Sequence, residues 1–69
     1  MRFSIETERD DDGRWIAEIS EVPGALAYGL SEQEAINKAY AIALRAVADR
    51  IEKSVEEPAN PISLERAIA

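Results

Sequence analysis

From Arg2 to Arg9, apolar and polar positions alternate. Phe3, Ile5 and Thr7 share one face; Arg2, Ser4, Glu6 and Glu8 share the other. A period of two is that of a half-buried strand. The alternation breaks at Asp10-Asp11-Asp12-Gly13, where Asp-Gly marks a hairpin turn because Gly accepts positive φ and Asp tolerates it. It resumes from Arg14 to Ser20, with Trp15, Ala17 and Ile19 on one face and Ile16, Glu18 and Ser20 on the other. Val22-Pro23-Gly24 ends the run; Pro second and Gly third suit a type II turn. Ala25 to Gly29 reads as a short third strand. The predicted strands span about 2–9, 14–20 and 25–29.

The period changes at Ser31. Ser31-Glu32-Gln33-Glu34 is a capping-box pattern, and Ala35, Ile36, Ala39, Tyr40, Ala43, Leu44, Val47 and Ile51 follow at helical spacing. No Gly or Pro interrupts them, and alanine favours helix. The spacing predicts one long helix over about 32–54. Leu30, one residue before the cap, is placed for a weak hydrophobic staple to Ala35. Residues 55–61 form a polar linker with Pro58 and Pro61, which helix cannot continue through. Ile62 to Ala69 reads two ways: a short helix capped by Ser63 through Leu64 and Ala67, or a fourth strand or tail with Ile62 and Leu64 inward, the latter preferred because a three-stranded sheet leaves edges to cover. One face of a three- to four-stranded antiparallel sheet carrying one long helix is an α+β architecture, here βββαβ in a single domain spanning 1–69.

Composition narrows the chemistry. Sixty-nine residues bury only roughly 60% of their unfolded surface, and there is no cysteine to staple the fold. Self-association, as a homodimer or homotetramer, is the expected staple, with Trp15, Tyr28, Ile62 and Leu64 as its contacts or as core. Absence of histidine removes the commonest general base and metal ligand. Ser20, Ser31 and Ser63 therefore lack an activating partner. The Asp10-Asp11-Asp12 run lacks the alternating ligand spacing of a calcium loop and reads as a polar turn. No catalytic residue, metal or cofactor is expected, so the chain reads as no enzyme. On the helix, Lys38 and Lys53 are expected at solvated positions, and Arg45 is spaced to pair with Asp49. No apolar run approaches the ~18 residues of a membrane span, and the N-terminus opens on a strand pattern rather than a signal peptide, so a cytoplasmic location is expected.

The net charge of −6 lies entirely in residues 1–34, where Arg2, Arg9 and Arg14 face nine carboxylates; residues 35–69 balance. Such a face repels a phosphate backbone and favours a basic partner. Glu6, Glu8, Asp10, Asp11, Asp12, Glu18 and Glu21 are the candidate partner-binding residues, and direct nucleic-acid binding is not expected.

Asp11-Asp12-Gly13-Arg14-Trp15-Ile16-Ala17-Glu18-Ile19, Val22-Pro23-Gly24 and Tyr28-Gly29-Leu30-Ser31-Glu32-Gln33-Glu34-Ala35, in that order and spacing, resemble the HicB-like family of type II antitoxins. The resemblance covers residues 3 to about 53. It implies a partial RNase H-like fold and a non-catalytic role: binding a small basic HicA-like toxin that degrades RNA, and covering its active site. Ile62–Ala69 is too short for the operator-binding module that many members carry. The alternative is an orphan homo-oligomer with a structural or regulatory role. A weaker one is a metal-dependent nuclease, since Glu6, Glu8 and Glu18 share a strand face but match no named constellation. A 2-oxo acid dehydrogenase subunit is unsupported, as the chain holds no thiamine site and no Gly-rich diphosphate loop.

Overall fold

The structure, a computed structural model, describes residues 2–54. Three strands, β1 (Ile5–Arg9), β2 (Trp15–Ile19) and β3 (Leu26–Gly29), precede one helix, α1 (Glu32–Lys53). The sheet is antiparallel in the order β1-β2-β3, and α1 packs on one face, chiefly over β2 and β3. This is the α+β arrangement read from the two periodicities. The expected linker and the expected fourth strand, with Ile62 and Leu64, lie outside the described residues.

Each turn follows from its residues. Asp10 and Arg14 close the first hairpin, with Asp10 N donating to Arg14 O at 2.6 Å. Gly13 N donates back to Asp10 O at 3.0 Å, and Gly13 takes φ +89°. The loop is thus a three-residue connection ending in a left-handed residue. At the second turn Ala25 N donates to Val22 O at 3.0 Å and Gly24 takes φ +86°, the type II geometry that Pro23-Gly24 prescribes. β1 starts at Ile5, inside its expected span. Ser4 N turns to the Glu21 carboxylate at 2.7 Å, and Phe3 leaves the strand to meet Tyr40 edge-on, with ring centroids 6.0 Å apart.

The Ser31 hydroxyl caps α1, accepting from Glu34 N at 3.1 Å. Thr7 Oγ1 donates to Glu32 Oε2 at 2.7 Å and ties β1 to the first helical turn. Glu32 and Glu34 at the start of α1, and Arg50 and Lys53 at its end, complement the helix dipole. Leu30 is 80% exposed, so the hydrophobic staple does not form. Asp49 pairs with Lys53 at 3.2 Å rather than with Arg45, which corrects the expected pair. In that geometry the carboxylate sits one turn before the cation, the better orientation along a helix.

The core is built mostly of alanine. Ala17, Ile19, Val22, Ala25, Ala27, Ala35, Ala39 and Ala43 form the buried cluster. Small side chains let helix and sheet approach closely. At Gly29 there is no room for a side chain: a Cβ there would lie 2.6 Å from Ala35 N and 3.0 Å from Glu34 C. The expected helical stripe splits as a result. Ala35, Ala39, Ala43 and Val47 are buried, whereas Tyr40, Leu44 and Ile51 are half-exposed on one flank. Ile36, Ile42 and Ala46 pack at the margins of the core.

Candidate functional site

Strand pleating sends alternate residues to the sheet face that α1 leaves open. The registers Glu6↔Glu18↔Leu26 and Glu8↔Ile16↔Tyr28 give two cross-strand rows on that face. One side is acidic, with Glu6, Glu8 and Glu18; the other is apolar and aromatic, with Ile16, Leu26 and Tyr28. Leu26 and Tyr28 are 42% and 43% exposed. Glu6 stands directly opposite Glu18, and like charges at paired positions destabilise a sheet. No cation among the described residues forms an ion pair with Glu6, Glu8 or Glu18.

The other candidate carboxylates are placed differently. Asp10 and Asp12 bind the Arg14 guanidinium, at 3.5 and 3.2 Å, and Asp10 Oδ1 also accepts from Asp11 N at 2.7 Å. The aspartate run is therefore hairpin structure that carries its own counter-ion, while Asp11 points out to solvent unpaired with any cation in the described residues. Arg14 in turn lies over the Tyr28 ring, 4.7 Å from its centroid. That contact joins the turn to the aromatic end of the open face. Glu21 sits at the far end of the hairpin, engaged with Ser4. Trp15 is half-buried against the core on the helix side, away from Tyr28 on the open side. Sequence parity identified Glu6, Glu8, Glu18 and Ile16 on one face. Leu26 was missed, because the parity of a four-residue strand is legible only once its register with β2 is known.

The chain was compared with protein-family models, curated proteins and solved structures. None matches. The geometry itself therefore carries the functional argument. Among the described residues no group of three or more acidic side chains converges as metal ligands, and no helix is long and apolar enough to cross a membrane.

Three carboxylates shift with folding, and all three are held low: Asp12, where desolvation acts the other way but is outweighed by hydrogen bonds from the Arg14 amide and guanidinium, and then Glu21 and Glu34. Hydrogen bonds from the Ser4 side chain, and then from its amide, hold Glu21 below the ordinary glutamate value. A hydrogen bond from Lys38, reinforced by its charge, does the same for Glu34, the pair standing 2.9 Å apart. A carboxyl depressed in the folded state contributes stability that is present above its unfolded pKa and lost as pH falls through its folded one. Thermal melts between about pH 6 and about pH 3 should thus show stability falling on the acid side of roughly pH 4.5. The deciding measurement is the difference between the parent and Glu21→Gln, which should shrink toward acid. A difference constant across that range would mean that the Ser4–Glu21 contact does not form.

Proposed function

We propose that this chain is a non-catalytic protein-binding module that docks a small basic protein on its open sheet face. The observation that carries this reading is the Glu6–Glu18 opposition beside Glu8, on the face that α1 leaves uncovered, bordered by Ile16, Leu26 and Tyr28. Such a face holds apolar contact area next to a block of one charge. A cationic partner would relieve the repulsion and cover the apolar half, so association would be fast and salt-sensitive. Together with the HicB-like sequence pattern, this favours an antitoxin that neutralises an RNA-degrading toxin.

The test is a triple variant, Glu6→Gln, Glu8→Gln and Glu18→Gln. The tagged chain is purified from its native host, and any small basic partner retained with it is identified by mass spectrometry. The association rate of that partner at low salt should fall about tenfold or more in the variant, and its salt dependence should flatten. The isolated variant should meanwhile gain stability, by about 0.5 kcal/mol, because the like-charge pair is gone. Unchanged association kinetics would exclude the open face as the docking surface.

A second observation favours the orphan homo-oligomer. Ile5, Tyr40, Leu44 and Ile51 are each 41–46% exposed. Exposed apolar side chains of this kind suit contact between copies. Light scattering of the purified chain separates the readings: a homodimer or homotetramer with nothing attached supports the orphan, and a heteromeric complex supports the antitoxin.

A further inference from the structure

Among the described residues no strand pairs with the outer edge of β3. Ile19 N donates to Ala25 O at 2.9 Å, and the register then pairs Ala17 with Ala27 and Trp15 with Gly29. Antiparallel pairing alternates, so the backbone groups of Leu26 and Tyr28 point away from β2. The Leu26 amide turns to Gly24 O at 2.9 Å. The Leu26 carbonyl and both backbone groups of Tyr28 have no backbone partner among the described residues. Alongside this edge a groove of about 270 Å³ runs between β3 and α1, lined by Ala27, Tyr28, Lys38, Ala41, Ile42 and Arg45. Its charged residues are both cations. Lys38 is shared with Glu34, whereas Arg45 is exposed and forms no ion pair among the described residues.

We infer that this edge and groove accept an acidic, extended peptide segment of a partner protein, added to the sheet beside β3. An unpaired strand edge is a template for strand addition, with main-chain hydrogen bonds giving affinity and alternate side chains giving specificity. Tyr28 supplies the donor and acceptor of one rung. Side chains on the helix side of the added strand would descend toward Ala41 and Ile42, and a carboxylate there meets Arg45 and Lys38. Charge also selects this edge over that of β1, where Glu6 and Glu8 would repel an acidic segment. The added strand shares Leu26 and Tyr28 with the open face but needs none of Glu6, Glu8 and Glu18, so their replacement by glutamine would leave it in place.

The test uses the full chain, isotope-labelled, and a probe peptide of about eight residues alternating valine and glutamate. Amide shifts are expected at Leu26, Tyr28, Ile42 and Arg45, and a peptide with lysine replacing glutamate should bind about tenfold more weakly. Arg45→Glu should reverse that preference. Arg45→Gln should weaken the acidic peptide without attracting the basic one. N-methylation of alternate peptide amides should abolish binding by removing the rung. Shifts at Ile5 and Thr7 in place of Leu26 and Tyr28, equal binding of the two peptides, no reversal in Arg45→Glu, or no shift at millimolar peptide would each overturn the inference.

Discussion

Gly29→Ala should be the most damaging single-methyl addition in residues 2–54. The added carbon would meet backbone, the Ala35 amide at 2.6 Å and the Glu34 carbonyl carbon at 3.0 Å, not the flexible end of a side chain. Relief requires the first turn of α1 to lift from β3. That turn is held by the Ser31 cap and by the Thr7–Glu32 hydrogen bond. Overpacking of this kind costs about 3 kcal/mol. A chain of this size has a total stability of roughly 3–10 kcal/mol, so the variant would be partly unfolded at the lower end of that range. Gly24→Ala is the control. It meets nothing within 4 Å, and its expense is confined to a positive φ of +86°, about 1–2 kcal/mol. Urea unfolding of the two variants should show a lower midpoint for Gly29→Ala with the slope unchanged. The reverse order would mean that α1 is not seated against β3 as described.

Ile19→Ala should produce the second large loss. Ile19 is 1% exposed, and most of the cluster around it is alanine. Removing its side chain leaves a cavity that its neighbours are too short to fill. The helix cannot sink into that space either, because its alanines already touch the sheet. The loss should therefore fall in the upper part of the usual range, about 3–5 kcal/mol. Leu26→Ala, at a position 42% exposed on the open face, should cost below about 1 kcal/mol. Denaturation midpoints that rank Leu26→Ala as the more harmful would show that the apolar half of the open face, and not the alanine layer, holds the fold.

The fold was legible wherever one residue type dictates one local geometry. Strand parity put Trp15, Ala17 and Ile19 inward, Pro23-Gly24 set its turn, and Ser31 set the start of α1. The rotation of α1 was less legible. Hydrophobic periodicity gives Tyr40 and Leu44 more weight than Ala39 and Ala43, yet the small residues take the buried seam because they permit contact with a sheet that itself presents alanine and glycine. Charge was the hardest feature to read. Asp10, Asp11 and Asp12 looked like one free acidic block, but Arg14, two to four residues on, satisfies two of them. Arg45 looked paired and instead lines a groove, since Asp49 has the better partner in Lys53. A composition count cannot distinguish a carboxylate that locks a turn from one left facing its like across a sheet.

Strand order in this sheet repeats chain order, and α1 lies over the two strands just before it. Each pair of hydrogen-bonded strands is thus consecutive along the chain. Each stage of assembly closes a short loop: first one hairpin, then the next, then the helix folding back over both. Loop-closure entropy stays small at every stage, and relative contact order stays low for a protein with a sheet. The search for the folded state is correspondingly brief. Among the described residues no strand crossing pins β1 to β3, so the two edges of the sheet are separate surfaces, one bordered by Glu6 and Glu8 and the other by Lys38 and Arg45.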